Sequence, residues 1–283
     1  MKKIILLLND KRNDFYIHID KKCTSFKYHE FKSLPKFSNI FFTDRISVSW
    51  GGFSQIECEL LLLKQATKKK YDYYHLLSGA DMPLKTADEI HAFFDAHSGK
   101  EFVHFVCNNI NNNRQVLSRV SLYHFLQKHT RQNKAANLME RVLLKTQKLL
   151  TIDRTRKYHI DLFGFGANWF SITHELACYI LSKEIEIKTV FRYTTCCDEI
   201  FLQTLILNSP FQDRLYYKKF DNNYIACLRY IDWKRGTPYV FRSEDFKELM
   251  DSPYLFARKF DLDIDKNIVE KIFLELSNKN STD

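Results

Sequence analysis

The first hundred residues alternate short apolar runs with stretches of helical periodicity. Runs rich in aromatic and β-branched side chains predict strands at residues 15–20, 39–43, 73–78 and 102–106. Between them, Ser54 to Glu57 and Thr86 to Glu89 both have the pattern of a capping box that opens a helix. This order of strands and helices predicts an α/β fold with a mostly parallel central sheet flanked by helices.

The last third of the chain predicts two further helices. Asp198 and Glu199 occupy an acidic first turn, with an apolar run behind them. A closing helix covers residues 268–276, and Asp265 is its expected N-cap. Asp265 ends an Asp-x-Asp-x-Asp run that starts at Asp261. This spacing also resembles a site for a hard cation. We favour helix capping over metal binding for this run.

The middle of the chain, residues 114–157, is rich in Lys and Arg and predicts a basic helical insertion. Several apolar residues give part of this insertion a single apolar face: Leu138, Val142, Leu143, Leu149 and Leu150. We interpret this face as a stripe that packs against the rest of the protein. The alternative is a site for a membrane surface or another polyanion.

Composition limits the class of protein. The 283 residues are 45% hydrophobic, which suffices for one large core, and we treat residues 1–283 as a single domain. The net charge of +9 favours an anionic partner, such as a nucleic acid, a phosphate-bearing metabolite or an acidic membrane. Seven cysteines without a C-x-x-C pair indicate a reducing compartment. No apolar stretch is long enough to cross a bilayer, so we expect a soluble or peripheral protein.

Candidate chemistry lies at the ends of the predicted strands, where parallel α/β sheets bind their ligands. His18 and Asp20 follow the first run, and Asp81 follows the third. Five of the seven glycines fall in only three places, which marks sharp turns or close approaches of the backbone: Gly51, Gly52, Gly79, Gly164 and Gly166.

Five segments, in order, resemble one family. YIHIDKK, VSWGGFS, YYHLLSGADMPLK, CDEIFLQT and LFARKFDLDID are similar to the core-2/I-branching N-acetylglucosaminyltransferases and peptide xylosyltransferases of glycosyltransferase family 14. The resemblance extends over residues 15–273 and suggests a bacterial-type member. It implies a GT-A-like fold that transfers a sugar from a UDP-sugar, with inversion and without a divalent metal.

The resemblance also implies roles for individual residues. Glu199 matches the general base, and Asp198 would orient its turn or the acceptor. Lys259 matches the lysine that binds the donor diphosphate. Arg235 is our first choice for the second diphosphate cation, with Lys234 or Arg242 as alternatives.

Other matched positions surround the donor and the acceptor. His18 and Asp20 would contact the nucleoside end, and Arg45, Trp50 and Gly51 would complete that wall. Asp81 would face the donor sugar. Trp169 fits a stacking platform for the acceptor, and a core tryptophan is the equal alternative.

The expected partners are a UDP-sugar donor, carrying N-acetylglucosamine or xylose, and a glycan or lipid-linked glycan acceptor. Peripheral contact with an anionic membrane is a further expectation, while no metal cofactor and no nucleic acid are expected. We expect a cytoplasmic or inner-membrane-associated bacterial protein. The alternatives are a metal-dependent transferase and a catalytically silent module that binds carbohydrate or polyanions.

Family members begin with a further strand, whereas MKKIILLLND here matches the helix that follows it. The expected sheet therefore lacks a central strand.

Overall fold

A computed structural model describes residues 1–128, 133–158 and 160–279. Its strands are β1 (Asp14–Ile17), β2 (Asn39–Phe42), β3 (Tyr73–His75), β4 (Asp81–Pro83), β5 (Phe102–Val103), β6 (Phe170–Thr173), β7 (Arg229–Ile231) and β8 (Phe256–Arg258). Its α-helices are α1 (Lys2–Leu7), α2 (Tyr28–Lys32), α3 (Ser54–Ala66), α4 (Ala87–Ala96), α5 (Arg114–Ser121), α6 (Lys134–Leu149), α7 (His174–Ser182), α8 (Glu184–Phe191), α9 (Phe201–Leu207), α10 (Phe246–Asp251) and α11 (Lys266–Lys279). The fold is thus a mixed α/β arrangement.

The described strands form three small sheets. β1 and β2 pair in parallel, while β6 lies between β3 and β5 and runs antiparallel to both. In the third sheet β8 is antiparallel to β4 and parallel to β7. The prediction of one mostly parallel sheet is therefore wrong for this part of the chain. All four predicted strands are present but shorter, and β6, which the sequence did not reveal, makes two of the pairings antiparallel.

Two hydrophobic cores hold these layers together. The first lies around α3, α7 and α9 and is centred on buried residues such as Ile56, Ile172 and Ile206. The second joins α1, α4 and α11 to the β4–β8 pair through residues such as Leu84 and Ile272. The functional segments described below emerge where the sheets and helices of these two cores meet.

The helix starts show which of the predicted capping interactions are present in the structure. Thr86 and Glu89 form the predicted capping box of α4. Asp265 accepts the main-chain N–H groups of Asn267 and Ile268 at 2.8 and 3.1 Å, so it caps α11 as expected. The predicted box at Ser54 is wrong, because its hydroxyl instead accepts the N–H of a residue in the preceding loop.

The basic region is helical where it is described, with α5, α6 and a 3₁₀ turn at Arg154–Lys157; residues 129–132 of the predicted insertion lie outside the described part. The predicted packing stripe is wrong for most of its members, since Leu138, Val142, Leu149 and Leu150 are more than half exposed. In the ranges that the structure covers, no helix has the length and apolar character to span a bilayer.

Candidate functional site

The predicted catalytic acids lie in a short 3₁₀ turn, Cys197–Glu199, rather than in the first turn of an α-helix. α9 begins two residues later, at Phe201. The turn is preceded by Cys196, whose φ of 46° is left-handed, so the chain reverses sharply before the two acids. Asp198 is buried beneath the turn, while Glu199 remains partly exposed. The reversal therefore separates two adjacent acids into different environments.

The loop that contains Trp50 and Gly51 is fastened to this turn. The N–H of Cys196 donates to the carbonyl of Gly51 at 2.8 Å, and Gly51 has a φ of 72° that favours glycine. Gln55 of α3 accepts the Gly51 N–H and donates from its Nε2 to Asp198 Oδ2 at 2.8 Å. The side chain of Trp50, 59% exposed, stands at the rim of this loop. The structure thus brings two predicted donor-side residues to the acidic turn.

Glu199 forms an ion pair that the sequence did not reveal. Nη1 of Arg119, on α5, donates to Glu199 Oε2 at 2.8 Å. Burial raises the pKa of Glu199, and the Arg119 guanidinium opposes that rise. Arg119 was hidden among the many basic residues of the insertion, and no local pattern distinguished it. Within the described residues no hydrogen bond reaches Glu199 Oε1, so that oxygen can accept a proton.

Beneath Glu199 lies a second pair of carboxyl groups. Burial, followed by the charge of Glu199, raises the pKa of Asp198 to about 7. Glu59 of α3 is buried nearby, and burial, followed by the charge of Asp198, raises its pKa well above the usual range. Over the described ranges, Glu59 Oε2 and Asp198 Oδ1 have no hydrogen-bond partner. These two groups therefore favour protonated forms, which leaves Glu199 as the exposed base of the cluster.

The glycine-rich segment before β6 packs against the same turn. The N–H of Gly166 donates to the carbonyl of Glu199 at 2.9 Å. A Cβ on Gly166 would lie only 1.9 Å from the carbonyl oxygen of His104, so this position requires glycine. Gly79, by contrast, has neither a left-handed φ nor a close neighbour, and its turn does not need glycine.

Asp81 and Trp169 meet at Arg258. The carboxylate of Asp81 is 3% exposed and accepts from Arg258 Nη1 at 2.8 Å and from the Ser78 N–H at 2.6 Å. The guanidinium of Arg258 stacks over the Trp169 ring at 4.4 Å. Trp169 therefore has a cation on one face, and Asp81 uses its oxygens on protein partners.

Lys259 lies beside this cluster. The preceding residue, Arg258, pairs with Asp81, and the N–H of the following residue, Phe260, donates to the Ala80 carbonyl at 2.8 Å. Lys259 thus lies beside the loop that ends in Asp81. Its side chain is partly exposed, and its ammonium forms no ion pair within the described part of the chain.

Arg235 is held by acids. Its guanidinium contacts Asp232, lies 2.6 Å from Asp245 and 3.2 Å from Glu248. These carboxylates neutralise the positive charge of Arg235, which would have to be available to bind a diphosphate. Arg235 is thus paired with three carboxylates, and among the described residues no hydrogen bond or ion pair joins it to Lys259.

The remaining predicted residues shape the loop after β1. The N–H of Ile46 donates to His18 Nε2 at 3.1 Å, and burial lowers the pKa of His18, so the ring is a neutral acceptor. Asp20 accepts the N–H of Val48 at 3.3 Å. Arg45 donates to the carbonyl of Asp20 at 2.7 Å. These residues cross-link the segment that leads to Trp50.

The arrangement can remove a proton from a hydroxyl and hold an anion. Glu199 supplies a carboxyl group that pairs with Arg119 through one oxygen and leaves the other free of described hydrogen bonds, and Lys259 supplies an ammonium. Two of the candidate metal ligands are engaged by protein groups: Asp81 pairs with Arg258, and Asp265 caps α11. Within the described ranges, no cluster of three or more His, Cys, Asp or Glu side chains is placed to hold a metal ion.

Known proteins are similar to this chain along most of its length. The model of the family described as Core-2/I-Branching enzyme matches residues 1–249. Xylosyltransferase 2 of Rattus norvegicus is 25% identical over 291 residues, which cover 95% of this chain and 31% of that protein. Xylosyltransferase 1 of Homo sapiens is 23% identical over 295 residues, covering 96% of this chain and 28% of that protein. The chain spans about a third of the length of these curated relatives.

Proposed function

Because the chain belongs to the core-2/I-branching enzyme family, we propose that it transfers a sugar from a UDP-sugar to a hydroxyl group of a glycan acceptor. The transfer inverts the anomeric carbon and needs no divalent metal. A GT-A-like arrangement, with the donor at the ends of β1 and β3, is part of the proposal. The observation that carries it is Glu199, a partly exposed carboxylate held by Arg119 on a turn fastened to the donor-side loop.

The reaction requires a base on the acceptor side of the anomeric carbon and positive charge on the side of the leaving diphosphate. Glu199 Oε1 accepts the proton of the acceptor hydroxyl while its oxygen bonds to C1. The bond from C1 to the diphosphate oxygen breaks with its electron pair, and UDP leaves with the added negative charge. Attack opposite to the leaving group gives inversion.

The departing diphosphate needs fixed cations in place of a metal. Lys259 fits this role because its ammonium forms no ion pair with a described carboxylate and its main chain runs beside the Asp81 loop. Arg235 would have to exchange three carboxylates for the phosphates. We therefore place Lys259 first, with Arg235, Lys234 and Arg242 as candidates for the second cation.

The acceptor side is formed around Trp169 and Asp198. The indole face opposite Arg258 would stack on a sugar ring of the acceptor, and Asp198 would hold the turn that carries the base. The donor sugar is N-acetylglucosamine or xylose, and the acceptor is a glycan, free or lipid-linked. We also propose a cytoplasmic or inner-membrane-associated bacterial protein in peripheral contact with an anionic membrane.

Release of UDP tests the proposal directly. The chain is incubated with UDP-N-acetylglucosamine or UDP-xylose and a panel of glycan acceptors, with and without EDTA. Turnover of one donor that persists in EDTA is expected. Glu199→Gln should keep UDP binding but slow transfer by roughly 10²–10⁴-fold, whereas Glu57→Gln, an exposed glutamate of α3, should change nothing. UDP binding without any turnover would favour a silent binding module, and loss of turnover in EDTA would favour a metal-dependent enzyme.

A further inference from the structure

α6 exposes an apolar stripe and buries two polar side chains, which is the reverse of an ordinary surface helix. Its buried side chains are Glu140 and Gln147. Three of its apolar side chains face outward, with exposed fractions of 63% for Leu138, 55% for Val142 and 84% for Leu149, while Leu143 and Leu144 are partly buried. Globular proteins usually bury the apolar stripe of a helix and expose the polar one. The inversion therefore needs a physical reason.

Hydrogen bonds to the preceding segment fix this orientation. Gln147 accepts the N–H of Tyr123 at 2.7 Å and donates to the carbonyl of the same residue at 2.9 Å. Glu140 accepts the N–H of Leu126 at 3.1 Å. Rotation of α6 to bury its leucines would leave these buried main-chain groups without partners, which is unfavourable. The apolar stripe is therefore held outward.

A basic stripe runs along the helix beside the apolar one. Lys134, Arg141, Lys145 and Lys148 follow one another at spacings of seven, four and three residues, so they share one face. Leu138, Val142 and Leu149 have the same kind of spacing on the adjoining face. All seven side chains are exposed, whereas the single acid of α6, Glu140, is buried. We call these seven residues the α6 face.

From this geometry we propose that the α6 face binds the surface of an anionic lipid bilayer. A helix lying in the interface puts its apolar side chains among the acyl chains and its Lys and Arg side chains among the anionic headgroups. The two adjoining stripes of the α6 face match these two layers. A nucleic-acid backbone would use the basic stripe but would leave the leucines in water.

This surface goes beyond the sugar-transfer reaction. None of its seven residues contacts the acidic turn or the Lys259 loop among the contacts described above, and lipid binding requires no UDP-sugar. Failure of the transferase proposal would therefore leave the lipid-binding proposal standing, and the reverse also holds. If both hold, the α6 face would keep the transferase at the membrane where a lipid-linked acceptor resides.

Flotation with lipid vesicles tests the α6 face. The full chain is mixed with vesicles of phosphatidylcholine alone or of phosphatidylcholine with phosphatidylglycerol, at low and high salt. We expect flotation only with the anionic vesicles, and a steep loss at high salt. Leu138→Gln, Val142→Gln and Leu149→Gln together should lower the partition coefficient by about tenfold or more. Replacing the four basic residues with Gln should have a similar effect.

A matched control uses exposed apolar residues elsewhere. Ile185→Gln with Leu274→Gln, on α8 and α11, should leave flotation unchanged. Thermal unfolding midpoints equal to that of the unsubstituted chain confirm that each variant is folded. A Trp placed at Leu149 should show a blue-shifted emission with anionic vesicles only, which gives a second readout that does not remove the stripe.

Four outcomes would overturn the proposal. They are absence of flotation, equal binding to neutral vesicles, an equal loss in the control variant, and a leucine variant that changes only the oligomeric state. The last result would instead assign the α6 face to contact between protein chains. Duplex DNA binding that depends on the basic stripe, without flotation, would assign that stripe to a polyanion.

Discussion

The guanidinium of Arg119 donates a hydrogen bond of 2.8 Å to the carboxylate of Glu199. Arg119 belongs to α5, at the start of the basic insertion, and Glu199 lies on the turn before α9. The insertion thus supplies a cation to the proposed base, in addition to any role at the surface. Since burial raises the pKa of Glu199 and Arg119 opposes that rise, the ion pair helps to keep the base ionised.

Removal of Arg119 should shift the pH dependence of transfer. In Arg119→Gln the pKa of Glu199 rises further, because burial is no longer opposed. A base must be deprotonated, so the acidic limb of the kcat/KM profile should move to higher pH, and activity near neutral pH should fall about tenfold or more. Arg119→Lys should move the limb less. Arg114 is an exposed arginine on the same helix, and Arg114→Gln serves as the control. An unshifted acidic limb of the kcat/KM profile in Arg119→Gln would show that Arg119 does not tune the pKa of Glu199.

Asp198 should make the protein less stable as pH rises. Burial raises its pKa from 3.8 to about 7, so between these values the folded state binds more protons than the unfolded state. The favourable contribution is complete below about pH 4 and is lost as pH rises through 7, on the order of 4 kcal/mol. Denaturant unfolding at several pH values should show this slope, and Asp198→Asn should flatten it. The exposed Asp251→Asn should keep the slope; if Asp198→Asn keeps it too, Asp198 does not titrate in this range.

Lys259 and Arg235 should respond differently to removal of their charge. Lys259→Met should weaken UDP binding about tenfold with little change in stability, since its ammonium forms no ion pair within the described residues. Arg235→Gln should lower the free energy of unfolding by about 1–3 kcal/mol, because it leaves the buried Asp245 without its cation. Calorimetric titration with UDP and denaturant unfolding measure the two effects. Weak UDP binding at full stability in Arg235→Gln would instead make Arg235 a diphosphate ligand.

Asp81 should act through Arg258 rather than through a metal. Asp81→Asn leaves a partly buried guanidinium without its carboxylate, and we expect a loss of about 2 kcal/mol in unfolding free energy. Transfer should also fall, and added manganese should not restore it. A double-mutant cycle with Arg258→Met should show a coupling energy of the same order. Asp72→Asn, an exposed neighbour, is the control, and rescue by manganese would contradict this interpretation.

Local signals in the sequence predicted local structure well. The Thr86 box and the Asp265 cap depend on residues within three positions, and both are confirmed. The predicted Ser54 box failed because the N–H of Ser49, in the loop just before the helix, donates to the Ser54 hydroxyl. The sheet pairing failed for a different reason: β6 is separated by about a hundred residues from β3, and nothing local indicates that it pairs there.

In the candidate site, too, local motifs were predictable from the sequence and long-range contacts were not. Family-like motifs placed Gly51 and Glu199 in segments that the structure brings into contact, whereas Asp81 contacts a second cluster, around Arg258. The role of Arg119 could not be predicted, because an ion pair between residues 80 positions apart leaves no pattern in the sequence. The outward leucines of α6 were misjudged because a helical period shows which residues share a face but not which face is buried.

The bond from the Cys196 N–H to the Gly51 carbonyl has a consequence for folding. It joins residues more than half the chain apart, and forming such contacts requires closure of a long loop. The turn that carries Glu199 can take its shape only after both halves of the chain have met. Enzymatic activity during refolding should therefore return later than helical structure, and its recovery would report the completed fold.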